Sequence, residues 1–461
     1  MPIYIYNSLT RSKEEFSPIN PPKVNIYTCG VTVYDDSHIG HARSLYTFEV
    51  IRRYLKYRGF RVRFVRNITD IDDKIIKRAN ELGIGWEALI KKYIARYYED
   101  LKSLGISKAD YEPRATRNIK SMIKYIQKLV KCGFAYVTDS GVYFSVRKFN
   151  DYGKLSNRSV DDLLSGVRKE ADETKEDPLD FALWKKSKQS EPYWNSPWGR
   201  GRPGWHIECS VMSQKFLKTD TLDIHAGGID LVFPHHENEI AQAQALTDKP
   251  FAKYWIHHGL LTINAQKMAK SLGNFVTIKD VLDKYPANVL KIFYLQAHYS
   301  SPLDFTWDRM EEARQALQRI SILAEKAKKR KFSRVSSDTA KRIKKIDEIK
   351  NKFIEAMDDD FNTPQGLAAI FELINQTNKN IDDSVSVKKA HKILEEFLEI
   401  FSISLTTERQ LDQDIRLKIE AREKARREKN FALSDQIRQE LEVEGIILED
   451  TKEGTTWRRK L

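Results

Sequence analysis

Residues 24–68 constrain the fold more than any other part of the chain. VNIYTC, 24–29, is an apolar, β-branched run of strand length. The loop GVTVYDDSHIG follows. From His41 onward Leu45, Phe48, Ile51 and Leu55 recur at three- and four-residue steps, the period of a helix face. Gly59 stands where a helix C-cap belongs, and RVRFVRNI, 61–68, alternates basic and apolar residues as a strand does. Two strands joined through a helix of this length need a right-handed parallel crossover. The spacing predicts a doubly wound α/β domain with ligands at the carboxyl ends of its strands.

Composition narrows the surroundings of that domain. A chain of 461 residues has room for several domains, and its formal net charge of +13 favours a polyanionic partner, nucleic acid first. No run approaches the ~20 apolar residues of a membrane span, and MPIYIYNSLTRSKEEF lacks a signal-peptide core, so the cytoplasm and no membrane are expected. The three cysteines, Cys29, Cys132 and Cys209, are too few and odd in number for a disulfide scaffold and fit a reducing compartment.

Two stretches carry the chemistry. His38 and His41 flank Gly40 where the loop turns into a helix. A helix N-terminus offers free N–H groups and the positive end of the macrodipole, so it attracts phosphate. Each imidazole can donate a hydrogen bond to a phosphate oxygen, and Gly40 permits close approach. Further on, NAQKMAKSLGNF, 264–275, sets Lys267 and Lys270 three apart in an Asn/Gly-bounded segment. As a cationic loop over a nucleotide's phosphates, it would stabilise the charge that builds as pyrophosphate leaves.

With both stretches in view, the chain resembles the class I aminoacyl-tRNA synthetases: HIGH at 38–41 and KMAKS at 267–271 stand where that class has HIGH and KMSKS. Ala269 departs from the serine of that motif, while both lysines and Ser271 remain. YTCGVTVYDDSHIGHARS, NITDIDDKIIKRA (67–79), GRPGWHIECS (201–210), FPHHENEIAQ (233–242) and GTTWRRK resemble the cysteinyl-tRNA synthetase family, from the N-terminus to the last residues.

The resemblance implies a Rossmann-like doubly wound parallel-sheet catalytic domain with an insertion, then a helical bundle and a small C-terminal α/β anticodon-binding domain. The expected bounds are 1–112 and 201–255 for the catalytic halves and 113–200 for the connective insertion, read as irregular with short strand-like pieces. The KMAKS-loop stem-contact region is set at 256–310, the bundle at 311–400 and the anticodon-binding domain at 401–461. It also implies a monomer that activates L-cysteine with Mg2+ and ATP and charges tRNA(Cys). The catalytic residues would be His38, His41, Lys267 and Lys270, with Gly40 and Asp230 also at the ATP. Thr69, Trp205 and His225 resemble the residues around the amino acid; for Trp205, core packing is the rival reading.

Spacing alone joins only His235 and Glu239, which share one face if HHENEIAQAQAL is helical. The resemblance adds Cys29 and Cys209 and implies one Zn2+ held by all four. His236 and Glu237 are the rival ligands, and Cys132 reads as a small buried hydrophobe. Asp70, Asp72 and Asp73 read as caps for the helix that follows them. A zinc-bound substrate thiolate would separate cysteine from serine, which an apolar pocket does only by roughly 10- to 200-fold.

The last third reads as a basic helix, a second helix, a strand pair and a cationic end. Trp457 is suited to stacking on an unpaired base, and Arg458 and Arg459 to phosphate or base edges. Arg427 and Asp435 are further candidate tRNA contacts. A cysteine ligase acting on an amino sugar would share the adenylation core but has no need of this basic end.

Overall fold

A computed structural model describes residues 2–160, 162, 174–268, 272–329, 338–405, 413–428, 430–451 and 454–459. In chain order the N-terminal elements are β1 (Tyr4–Asn7), β2 (Ser12–Glu15), β3 (Lys23–Thr28), α1 (Ile39–Tyr57), β4 (Arg61–Arg66), α2 (Asp73–Leu82), α3 (Trp86–Ser103) and α4 (Ile119–Lys131). The insertion contributes β5 (Ala135–Val137), β6 (Gly141–Phe144), β7 (Phe181–Lys186), β8 (Trp194–Ser196) and β9 (Gly199–Pro203). The chain then returns through α5 (Trp205–Leu217), β10 (Leu222–Gly228), α6 (Glu237–Thr247) and β11 (Ala252–His258).

Four strands form the central sheet in the order β11–β10–β3–β4, all parallel. The reversal of strand order at β3 and β10 is the topological switch point, where an α/β sheet opens a crevice at its carboxyl edge. The sheet is apolar because both faces are covered: Val24, Ile26 and Tyr27 of β3 and all of β10 are buried. Helix α1 packs its expected stripe of Leu45, Phe48, Ile51 and Leu55 into this core. Gly59, at φ +88, takes the chain out of the helix toward β4.

The insertion is more ordered than its sequence suggests. It forms a five-stranded sheet, β5–β6–β7–β9–β8, with antiparallel pairing throughout. GRGRP, 199–203, has no strand alternation; it becomes β9 because β7 supplies its hydrogen-bonding partner. Cys132 corrects another expectation: it is exposed at the C-cap of α4.

Beyond the sheet come β12 (Leu261–Ile263), β13 (Gln266–Lys267), α7 (Ile278–Leu282), α8 (Ala287–Leu295) and β14 (Leu303–Phe305). Asn264 and Ala265 both take positive φ, closing the two-residue turn between β12 and β13. Helices α9 (Trp307–Lys329), α10 (Thr339–Asp358), α11 (Thr363–Lys379) and α12 (Ser384–Ile400) follow. The last elements are α13 (Gln413–Arg427), α14 (Phe431–Val443), β15 (Ile446–Thr451) and β16 (Gly454–Arg459), with Ile437, Leu441, Ile446 and Leu448 as a small core. Among the described residues no helix is long and apolar enough to cross a membrane.

Candidate active site and metal centre

The loop after β3 delivers His38 as the N-cap of α1. Its Nδ1 accepts from Gly40 N at 3.1 Å and His41 N at 3.3 Å, and His41 Nδ1 accepts from His38 N at 3.4 Å. The two rings stack with centroids 3.7 Å apart. This reciprocal cap has two consequences. With both Nδ1 atoms accepting, each neutral ring carries its proton on Nε2. The expected free amides at the helix start are already used, since Ile39 N donates to Val276 O at 3.2 Å and Ala42 N to His38 O at 3.2 Å. An anion at this helix start would therefore meet imidazole N–H groups rather than free backbone amides. Burial drives His41 well below the usual histidine range, helped by His38, Lys74 and His258. Gly40 is needed at close quarters: a Cβ there would lie 2.9 Å from His38 Cε1 and Nδ1.

The segment after the KMAKS stretch is joined to the same helix start. Ile278 N donates to Ser37 O at 3.0 Å, and Thr277 bridges His38. Lys267 is exposed at the end of β13, and Asn274 Nδ2 donates to its carbonyl at 3.1 Å. Ala269, Lys270 and Ser271 lie outside the described residues.

Across the crevice, donor atoms of Cys29, Cys209, His235 and Glu239 all lie within 4.8 Å of one another. Cys29 follows β3 directly, and Cys209 lies in the second turn of α5. His235 sits on a π-helical turn, 232–236, and Glu239 in the first turn of α6, so the i, i+4 pairing survives although the α-helix starts at Glu237. The Cys29 and Cys209 sulfurs are 3.7 Å apart, Cys29 Sγ is 3.4 Å from Glu239 Oε1, and His235 Nε2 is 3.0 Å from that same oxygen.

The electrostatics suit a cation. Burial opposes charge on Glu239, yet the His225 and His235 rings hold it down to about 2. Burial likewise raises both thiols, but the hydrogen bond from Cys29 and the nearby His235 bring Cys209 down to about 6, leaving Cys29 raised. His235 Nε2 is buried and, despite its distance to Glu239, makes no aligned hydrogen bond. Two converging sulfurs, a carboxylate and a buried imidazole nitrogen without a hydrogen-bond partner form a donor set that fits a thiophilic divalent metal.

The rival ligands fare differently. Glu237 turns away, accepting from Gly153 N at 2.9 Å and Ser156 N at 2.8 Å. His236 borders the cluster, and Cys29, His225, His236 and Glu239 make a second set within 4.8 Å. In that set, however, His225 Nε2 pairs with Glu239 Oε2 at 2.8 Å and His236 Nε2 with Cys29 Sγ at 3.3 Å.

A family model described as "tRNA synthetases class I (C) catalytic domain" matches residues 15–315, and a "DALR domain" model matches residues 352–406. Along its full length the chain is 49% identical to a cysteine–tRNA ligase of Anoxybacillus flavithermus, covering 100% of both chains. It is 48% identical to one of Aquifex aeolicus, covering 100% of this chain and 99% of that one. The chain belongs to the cysteine–tRNA ligase family. Solved structures agree on the fold. Mycobacterium tuberculosis methionyl-tRNA synthetase with methionyl-adenylate aligns at TM-score 0.61 and 14% identity, over 82% of this chain and 89% of that one. An Agrobacterium radiobacter LeuRS ternary complex aligns at 0.65 and 11%, over 85% of each.

Around the cluster, the residues that resemble the family's amino acid pocket take distinct places. Trp205 is 37% exposed, against the core-packing reading, and stacks on His235 at 4.0 Å. With His206 it lines a cleft of about 1460 Å³ between α2 and the β6–β7 side of the insertion. His225 stacks on Trp255 at 4.5 Å. Thr69 is buried and donates to Glu208 Oε2 at 2.8 Å; burial pushes the Glu208 carboxyl well up. Asp230 is exposed just beyond β10 at the switch point. Of the neighbouring carboxylates, Asp72 caps α2, Asp70 instead accepts from Thr116, and Asp73 pairs with Arg202 and Lys185.

Three further histidines escaped the sequence reading: His206, His257 and His258. His206 Nδ1 meets His235 Nδ1 at 2.9 Å, and His257 links His236 to Ser8 through contacts of 2.8 Å on each side. The only hint was the density of histidine near the two cysteines and the HH pairs. At the far end, Arg427 is exposed at the end of α13 and Asp435 is exposed on α14. In the β15–β16 ladder Trp457 pairs with Leu448, Arg458 with Ile447 and Arg459 with Ile446, while the side chains of those three β16 residues lie outside the described residues.

Proposed function

We propose that the protein activates L-cysteine with Mg-ATP to give cysteinyl-adenylate and pyrophosphate, then transfers the cysteinyl group to the 3′-terminal adenosine of tRNA(Cys). The observation that carries this reading is the thiol–imidazole–carboxylate cluster on the same sheet edge as the mutually capped His38 and His41. A serine-binding or hydrophobic-side-chain enzyme has no need of two thiols, an imidazole and a carboxylate converging there.

In the first step the cysteine carboxylate attacks the α-phosphate and pyrophosphate leaves. His38 and His41 present Nε2–H to the phosphate oxygens, and Lys267 and Lys270 supply cationic charge as the leaving group departs. In the second step the 2′-hydroxyl of the terminal ribose attacks the adenylate carbonyl and AMP leaves. Cys29, Cys209, His235 and Glu239 would hold zinc. Bound there, zinc supplies selection of the substrate thiolate over a serine hydroxyl by ligation and a lowered thiol pKa. Trp205, Thr69 and His225 would enclose the amino acid, and Asp230 with Gly40 would meet the nucleotide.

The cleft beside Trp205 is lined by both signs, with Lys77, Lys186 and Lys188 alongside Asp72, Glu81 and Asp180, and those lysines are the proposed contacts for an RNA 3′ end. Arg427, Asp435, Trp457, Arg458 and Arg459 are the proposed tRNA contacts of the C-terminal unit. A cytoplasmic monomer completes the reading. The test is transfer of labelled cysteine onto unfractionated tRNA, with ATP and excess serine. Base-labile label on tRNA that resists serine supports it. Cysteine-dependent ATP consumption without label on tRNA overturns the second step, and no ATP consumption overturns both.

A further inference from the structure

Arg43 is 2% exposed in the second turn of α1, and its guanidinium hydrogen-bonds to backbone carbonyls. Nη1 donates to Gly259 O and Leu260 O, both at 2.8 Å; Nη2 donates to Tyr299 O at 3.1 Å and Ser301 O at 2.5 Å. Among the described residues no carboxylate pairs with it. Burial pulls its pKa down to about 10, a measure of how poorly the site suits a lone charge. An uncompensated buried guanidinium is costly, and its five donors in a planar fork match five converging carbonyls, His298 O at 3.5 Å being the fifth. The arrangement therefore fixes those carbonyls in space.

The carbonyls lie at a junction. Gly259 and Leu260 form the turn from β11 into β12, and Tyr299 and Ser301 lie between α8 and β14. The turn is pressed so closely that a Cβ on Gly259 would lie 2.3 Å from Ser301 O. Gly259 O also contacts His258 Nδ1, at 3.0 Å. That contact puts the imidazole proton on Nδ1 and leaves Nε2 as an acceptor. Burial holds His258 down to about 4, so the ring is neutral at physiological pH. Its Cε1–Nε2 edge faces the end of β10: a Cβ on Gly228 would lie 3.5 Å from both atoms. The edge thus lies beside Asp230 at the carboxyl end of β10, within electrostatic reach of His41.

Resting on the adenylation reading above, we propose that His258 Nε2 accepts a hydrogen bond from a hydroxyl or amino donor of the bound nucleoside. Arg43 is its positioning residue, acting through the Gly259 carbonyl. The nucleoside class follows from the chemistry: a neutral acceptor suits a sugar hydroxyl or an exocyclic amine and does not suit a phosphate. The same turn leads through β12 to β13, so Arg43 also sets the origin of the strand that ends at Lys267.

The test is ATP–pyrophosphate exchange by the full-length, zinc-loaded enzyme, with separate KM values for ATP and cysteine. His258→Phe keeps a ring and removes the acceptor; KM for ATP is expected to rise about 3- to 10-fold, the cost of one neutral hydrogen bond. KM for cysteine and zinc content should stay unchanged. His258→Gln, which returns an acceptor at similar reach, should recover most of the loss. Arg43→Lys should shift the same parameter and combine with His258→Phe less than additively. Against 2′-deoxy-ATP, 3′-deoxy-ATP and ITP, the penalty of one analogue should vanish in His258→Phe, which names the donor. The proposal is overturned if His258→Phe leaves KM for ATP unchanged, or if no analogue loses its penalty. Additive effects in the double variant overturn the Arg43 part. Should Arg43→Lys fail to fold, the two His258 variants and the analogues still decide the contact. Absence of exchange by the unmodified enzyme would instead overturn the adenylation reading itself.

Discussion

The Nδ1 atoms of His206 and His235 lie 2.9 Å apart, so one must carry a proton and the other a lone pair. If His235 Nε2 is to face a metal, its proton belongs on Nδ1 and His206 accepts. Burial drives His206 well below the usual histidine range, which keeps its lone pair available. Such an outer partner fixes the tautomer and orientation of a ligating ring. His206→Ala is expected to weaken zinc binding by about 10- to 100-fold, while His206→Asn, with an oxygen near the Nδ1 position, retains most of it. Competition against a fluorescent chelator measures both. Unchanged affinity in His206→Ala would remove His206 from the metal site.

Capping and phosphate binding meet in His38, and one substitution separates them. An asparagine at 38 keeps a side-chain acceptor for the amides of residues 40 and 41 but lacks the Nε2–H donor. His38→Asn should keep the melting temperature close to that of the parent and lower adenylation kcat by about 10²- to 10³-fold, the scale for losing a transition-state donor. His38→Ala should also lose about 1 kcal/mol of stability with the cap. Thermal unfolding and pyrophosphate exchange on both proteins check this. Near-normal exchange by His38→Asn would show that the ring acts only as a cap.

The β3–α1–β4 unit was legible because β3 is a nearly unbroken apolar run, β4 alternates basic and apolar residues, and α1 packs one apolar stripe against the sheet. Those patterns depend on local neighbours in the chain. Of the insertion only the short strand-like pieces at β5 and β6 were legible; β9 is short and polar and owes its conformation to β7, and β8 to β9. The metal-donor set was legible only as a pair, His235 and Glu239, because the fold brings Cys29 and Cys209 in from distant segments. His257 and Arg43 were silent for the same reason: their partners, Ser8 and the Gly259 turn, lie more than 200 residues away. Cys132 was misread from the average habit of cysteine, which says nothing about a helix C-cap.

Removing the metal should destabilise the fold locally as well as erode selectivity. Without a cation, two thiols, a carboxylate and an imidazole crowd one space in which His235 Nε2 has no hydrogen-bond partner. Chelated protein is expected to melt lower and regain its parent temperature as zinc is added, following mass action. Cys209→Ser should bind zinc more weakly and show a reduced preference for cysteine over serine. Titration of zinc against melting temperature tests the first outcome, and competition in pyrophosphate exchange the second. A variant that kept full zinc and full selectivity would exclude Cys209 as a ligand.

A different part of the molecule should respond to alkali. Lys291 is 4% exposed, and its Nζ donates to Ser402 O. Burial first, and Arg53 second, bring its pKa down to about 8, with Glu49 acting the other way. An unfolded lysine titrates near 10.4. Between those values the unfolded chain binds a proton that the folded chain does not, so stability rises with pH through this window. Below about pH 8 the ammonium is charged in both states and the burial penalty is present in full. Lys291→Met abolishes this titration. Urea unfolding of both proteins should show the parent gaining about 1–2 kcal/mol relative to the variant between about pH 7.5 and 9.5. Tyrosine titrations common to the two proteins cancel in that difference. A difference that stays flat across the range would mean that Lys291 keeps its proton in the folded protein.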